Sequence, residues 1–155
     1  MRIFTLLCLS FICACHTSHF PQGRSVTLPG SAAAEFLSLC SRTSMPQYDT
    51  TWNPSETVIR DMEFRLYFKI AHLEANGCCI INGRILDLDE YYFQYVGIII
   101  NDRKLIYINA YCQEHLDALR RGPEASACDG GRCYWGVLYD VRSKTFHNLS
   151  INGNG

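Results

Sequence analysis

Two apolar runs, Tyr91 to Ile100 and Lys104 to Tyr111, flank the polar triplet Asn101-Asp102-Arg103, and no other pattern constrains the fold of this chain as strongly. Aromatic and branched side chains suit a pleated, buried surface, and so short a polar break leaves room only for a tight turn, so the segment predicts a β-hairpin. Both runs are apolar on nearly every position. A strand wet on one face would alternate, so the sheet is expected to have one face fully covered and the other partly covered. Further on, Cys133 to Tyr139 reads as a third strand, Val141 to Lys144 as a turn, and Thr145 to Ile151 as a fourth strand.

Upstream lies the one strongly helical segment. Asn53-Pro54-Ser55-Glu56 has the form of a helix start, with a side-chain acceptor at Asn53, Pro in the first turn and Glu three residues on. Val58, Met62, Leu66, Ile70 and Leu73 then recur at spacings of four and three, which predicts an amphipathic helix over 54–75, stopped by Asn76-Gly77. Asp61, Arg65 and Lys69 are read as its solvated face. A long helix followed by four antiparallel strands predicts an α+β domain, a two-layer sandwich with the helix stripe on one sheet face. The layout resembles cystatin-like folds in shape, a likeness that carries no activity.

The N-terminus gives an address. Arg2 opens it, Ile3 to Ile12 carries no charge, and Ile12-Cys13-Ala14-Cys15 ends with a small residue before a cysteine. The run is about ten residues, half the roughly 20 a membrane-crossing helix needs. It resembles a bacterial lipoprotein signal, which implies cleavage before Cys15 and lipid on that residue. Cys13 departs from the small residue usual at its position, and ordinary secretion, with cleavage after Ala14 or slightly later, is the alternative. His16 follows the cysteine where Asp would retain a lipoprotein at the inner membrane, so an outer-membrane location is favoured. The division expected is a signal over 1–14, the lipidated cysteine and a tether over 15–47, and a single α+β domain over 48–155. Within the tether, Ala32 to Cys40 allows a short helical turn, and Met45 to Thr51 returns to loop.

Without the signal roughly 140 residues remain, enough for one ordinary domain. Fourteen Lys and Arg stand against fifteen Asp and Glu, scattered without a basic face, so no nucleic-acid partner is expected. Nine cysteines are many for 155 residues. Six lie beyond the signal region: Cys40, Cys78, Cys79, Cys112, Cys128 and Cys133. An even count in an exported chain reads as disulfides. Cys78 and Cys79 are expected to take separate partners, since neighbouring side chains of an extended segment point opposite ways. Cys112 ends the second strand and Cys133 starts the third, so Cys112 paired to Cys128 or Cys133 is preferred over a local Cys128–Cys133 bond, which would close a much smaller loop. Cys128 and Cys133 with His115 and His147 form the competing metal reading. Their spacing is wider than structural zinc pairs use, so no metal or other cofactor is expected.

The segments Gln94-Tyr95-Val96-Gly97, Ile106-Tyr107-Ile108-Asn109, Asp129-Gly130-Gly131-Arg132-Cys133-Tyr134-Trp135 and the ending Asn152-Gly153 make up a distinctive set. They resemble a family of small uncharacterised bacterial lipoproteins and secreted proteins, over about Trp52 to the end. The resemblance implies kinship and export but no activity, and this chain departs from the pattern in its density of cysteines.

The motif residues have readings of their own. Gly130-Gly131 permits positive φ and is favoured as a tight turn into the third strand; the alternative is a backbone nest for an anion, which Asp129 would oppose. Gln94 and Asn109, near mid-strand on neighbouring runs, form either a buried pair fixing register or part of a ligand pocket. Tyr91, Tyr92, Tyr95, Tyr107, Tyr111, Tyr134, Trp135 and Tyr139 make the sheet aromatic, and an exposed subset would serve a sugar, peptide or protein. Two classes of function follow. The favoured one is a non-enzymatic envelope lipoprotein that binds an envelope protein or small ligand through Gln94, Asn109, Asp129, Gly130, Gly131 and Trp135. The other is a secreted hydrolase or thiol enzyme using Cys128 or Cys133 with His115 or His147, which needs a free thiolate that export works against.

Overall fold

The computed structural model describes residues 23–37, 47–70, 88–112 and 130–152. In chain order the elements are β1 (Ser25–Thr27), α1 (Ala33–Leu37), β2 (Thr50–Trp52), α2 (Glu56–Lys69), β3 (Tyr92–Ile100), β4 (Arg103–Tyr111), β5 (Tyr134–Asp140) and β6 (Thr145–Ile151). The fold is α+β: among the described residues, one substantial helix packs on a mostly antiparallel sheet.

The expected four strands are its centre. β3 and β4 join through Asn101 and Asp102, both at positive φ (49° and 60°), as a two-residue turn that follows strand twist requires. That turn sets the register, placing Gln94 opposite Asn109 and Tyr92 opposite Tyr111. β5 and β6 follow in antiparallel order with one irregularity between Gly136 and Leu138, where Asn148 sits at φ 57°.

Among the described residues the sheet has six strands rather than four, and one pairing is parallel. β1 runs parallel to β3 at Phe93–Tyr95, and β2 runs antiparallel to β3 at Gly97–Ile99, so the two share its outer edge end to end. Part of the segment read as tether and loop is thus sheet. Three-residue strands carry too little periodicity to be seen, and the open edge of β3 organises them.

Gly97 explains how β2 docks. A Cβ there would lie 2.3 Å from the Trp52 carbonyl oxygen and 2.9 Å from Cδ of Pro54. Trp52 is fixed in place by Nε1, which donates to the carbonyls of Ile98 and Leu105 at 3.2 and 3.1 Å. Gly97→Ala is expected to push β2 off the edge and cost about 1–3 kcal/mol, as overpacked sites do, measured by urea unfolding.

Helix α2 begins later than its start signal suggests. Pro54 disfavours helical backbone at Asn53, and Ser55 is the N-cap. Asn53 Oδ1 instead accepts from the Gly30 amide at 3.4 Å. Ile59, Met62, Leu66 and Ile70 are the buried stripe, with Val58 only partly covered. Leu73 and the stop at Asn76-Gly77 lie outside the described residues.

Two apolar clusters sit on opposite faces of the sheet. On the first, α2 covers Phe93, Tyr95, Ile106, Ile108, Trp135, Val137 and Tyr139. On the second, Leu28, Ala33 and Leu37 of the 23–37 segment cover Val96, Ile98, Leu105, Tyr107 and Leu138. No described helix is long and apolar enough to cross a membrane.

Candidate functional site

Period two along each strand, combined with the observed register, lays the second face out in rows across β3, β4, β5 and β6. Val96, Tyr107, Leu138 and His147 form one row; Gln94, Asn109, Gly136 and Ser150 form the next. Beyond them stand Tyr92, Tyr111 and Tyr134. The apolar cover from Leu28, Ala33 and Leu37 rests on the hydrophobic rows, while the polar row and the tyrosine row occupy the other end of the face.

Gln94 and Asn109 are brought together as expected. Asn109 Nδ2 donates to Gln94 Oε1 at 2.9 Å, and both side chains are buried. One amide bond does not satisfy the row. Asn109 Oδ1, Ser150 Oγ and Tyr111 OH are buried without a hydrogen-bond partner. Leaving such an atom unpaired costs about 1–3 kcal/mol, so three on one face is the most unusual feature of the described structure. Burial pushes the Tyr111 hydroxyl well above the ordinary phenol range, reinforced by Tyr92 and Tyr134, so it stands ready as a neutral donor and acceptor. Tyr92 stacks on Tyr111 with ring centroids 5.9 Å apart, and the Arg24 guanidinium lies 5.5 Å from the Tyr92 centroid.

Gly130 and Gly131 close this end of the face. Both take positive φ (98° and 55°), and the Cys133 amide donates to the Gly130 carbonyl at 3.2 Å in a tight turn leading into β5. A Cβ on Gly130 would sit 2.8 Å from the Tyr134 ring. Asp129 lies outside the described residues, as do Cys15, Cys40, Cys78, Cys79, His115 and Cys128.

Trp135 does not belong to this face. It points into the core beneath α2, fully buried, with Tyr91 and Phe93 edge-on at 5.6 and 6.0 Å. It follows Tyr134 in a strand, so the two must point opposite ways, and the apolar neighbours of Trp135 on β4 and β6 share the helix side. Its Nε1 is a fourth buried polar side-chain atom without a partner among the described residues.

Cys112 and Cys133 form a disulfide with Cα atoms 4.9 Å apart, and the Cys112 amide also donates to the Cys133 carbonyl at 3.0 Å. The bond ties the end of β4 to the start of β5, one of the two pairings the sequence favoured for Cys112. Cys133 is remote from His147, which pairs with Leu138, about 16 Å further along β5. Burial, with repulsion from Arg103, lowers the His147 pKa against the pull of Asp140. Among the described residues no group of three or more His, Cys, Asp or Glu side chains gathers around a common point.

Two carboxylates fasten the first face. Glu63 on α2 accepts from Ser25 Oγ and Tyr95 OH, each at 2.9 Å, and burial raises its pKa despite those bonds. Asp61 accepts from Arg65 Nε, from Tyr139 OH and from Lys144 Nζ, joining α2 to β5 and to the β5–β6 turn. The Arg65 bond is the main cause holding the Asp61 carboxyl down at about 2, against desolvation. A folded-state pKa below the ordinary carboxylate value means stability that is present above about pH 4 and lost as pH falls through about 2. Asp61→Asn is therefore expected to flatten the fall in urea midpoint between about pH 5 and about pH 2, with water around this part-exposed cluster reducing the effect. An unchanged slope would show that Asp61 is not a stabilising carboxylate. Sequence spacing identified Asp61 and Arg65 as helix neighbours, but the contacts with Tyr139 and Lys144 depend on where the sheet lies.

Comparison with protein families, with curated proteins and with solved structures finds no match to this chain.

Proposed function

We propose that the chain is an envelope-anchored bacterial lipoprotein, held by lipid at Cys15, whose α+β domain is a non-enzymatic binding module. The observation that carries this reading is the Cys112–Cys133 disulfide. Structural cystines persist in oxidising compartments, so the bond supports the export that the Ile12-Cys13-Ala14-Cys15 signal announces. His16 after the cysteine favours the outer membrane.

The second sheet face is the binding region in this reading. Asn109 Oδ1 asks for a donor, while Ser150 Oγ and Tyr111 OH can each donate or accept, beside a row of aromatic rings. That combination suits a small neutral polar ligand rich in hydroxyl or amide groups, with orientation set by the polar atoms and contact area supplied by the tyrosines.

Metabolic labelling with a fatty acid tests the anchor. The parent chain should carry label, and Cys15→Ala should lose it and accumulate as precursor or soluble protein. Label that survives Cys15→Ala, or a parent chain without label, would refute the lipoprotein reading.

A further inference from the structure

Asn109 Oδ1, Ser150 Oγ and Tyr111 OH, buried and without a partner among the described residues, stand in two adjoining rows of the second face. The register explains why Asn109 and Ser150 do not satisfy one another. Gly136 lies between them, opposite Asn109 on one side and Ser150 on the other, and contributes no side chain to the row. Two strand spacings put the Asn109 and Ser150 Cα atoms about 10 Å apart, too far for a short amide and a hydroxyl that both stand up from the sheet. On a wet surface water would satisfy such atoms; under cover they lower stability, and a bound ligand that pairs them restores it.

The inventory of donors and acceptors selects the ligand. Asn109 Nδ2 is engaged by Gln94, so the remaining oxygen of Asn109 accepts only. Ser150 and Tyr111 each bring one proton to donate and lone pairs to accept, so a full match must do both in return. Neither row carries a charged residue, and Arg24 at the edge lies over Tyr92 and gives Nη1 to the Asp89 carbonyl. A carboxylate, phosphate or ammonium would lose its hydration here without a counter-ion. Burial raises the Tyr111 hydroxyl further from ionisation, so it supplies no counter-charge either.

Two neutral chemistries then compete. An amide groups its polar atoms on one carbon, whereas the three protein atoms are spread over two rows and over β4 and β6. Hydroxyls on successive carbons match that spread, and each donates and accepts at once.

We propose that this end of the second face binds a neutral sugar, one hydroxyl donating to Asn109 Oδ1 and its neighbours bonding Ser150 Oγ and Tyr111 OH. This ligand class rests on the second face being the binding region, and not on the lipid at Cys15. Tyr92, stacked on Tyr111, holds the phenol in position before the sugar arrives, which reduces the ordering that binding must impose.

Ser150→Ala and Tyr111→Phe test it, since each removes one of these hydroxyls and little else. Removing a buried hydroxyl that has no partner is neutral or stabilising, so neither variant should lower the urea midpoint of the full chain in the absence of sugar. Saturation-transfer NMR on the full chain, in a detergent without sugar groups, reads binding of D-glucose, D-galactose, D-mannose and N-acetyl-D-glucosamine, with acetamide as the amide probe. The parent should transfer to at least one sugar, and each variant should lose most of that signal. Transfer to acetamide alone would overturn the sugar and leave the face as a binding region. Transfer to no probe, or sugar transfer undiminished in either variant, would overturn the proposal. Midpoints well below the parent in both variants would show the hydroxyls to be satisfied within the protein, and would overturn the binding region as well.

Discussion

Leu66→Ala is expected to lower the unfolding free energy by about 2–5 kcal/mol, the largest single effect anticipated for a residue of α2. Leu66 is fully buried in the cluster formed by the helix stripe and the first face of the sheet. The methyl and methylene groups removed would leave a cavity walled by strands whose positions are fixed by their neighbours, so little collapse can relieve it. The helix cannot shift to fill it, because Asp61 and Glu63 hold it to Tyr139 and to Tyr95. Equilibrium urea unfolding measures the loss. A change below about half a kcal/mol, the range of surface substitutions, would mean that the helix does not seat its stripe on the sheet.

Breaking the Cys112–Cys133 bond is expected to cost about 3 kcal/mol, from the freedom its loop gains in the unfolded chain. The sequence separation is 21, long enough for an appreciable loop-closure contribution. The bond sits where β4 and β5 are already paired at Tyr111 and Tyr134, so the native state should keep its geometry when both cysteines become serine. The doubly substituted chain should therefore unfold at lower urea with an unchanged near-ultraviolet spectrum. A midpoint equal to that of the oxidised parent would show that the bond contributes nothing to stability.

What could be read in the sequence was what period and turn chemistry determine locally. The β3–β4 hairpin, β5 and β6 were legible because each is seven to nine residues of consistent pattern bounded by polar turns. The Gln94–Asn109 pairing followed from the hairpin, since a two-residue turn dictates which residues stand opposite. Ser150 and Tyr111 were not recognised as its neighbours. Placing Ser150 requires the β5–β6 register, which the irregularity at Gly136–Leu138 shifts, and Tyr111 looked like any other core aromatic. The Asp129–Trp135 motif points to Trp135 as a surface residue, whereas strand alternation puts it on the face opposite Tyr134, in the core under α2. β1 and β2 were missed because their strand character comes from the edge of β3. On α2 the spacing of four back from Met62 points to Val58, where Ile59 is the buried side chain.

The most direct test of the account as a whole is the redox state of Cys112 and Cys133 in the cell. Growing cells are quenched with an excess of a membrane-permeant alkylating agent, and the protein is digested without reduction and mapped. A peptide pair joined through Cys112 and Cys133 is expected, with neither cysteine alkylated. Recovery of both residues as alkylated thiols would place the domain in a reducing compartment, and would contradict both the bond and the exported lipoprotein built upon it.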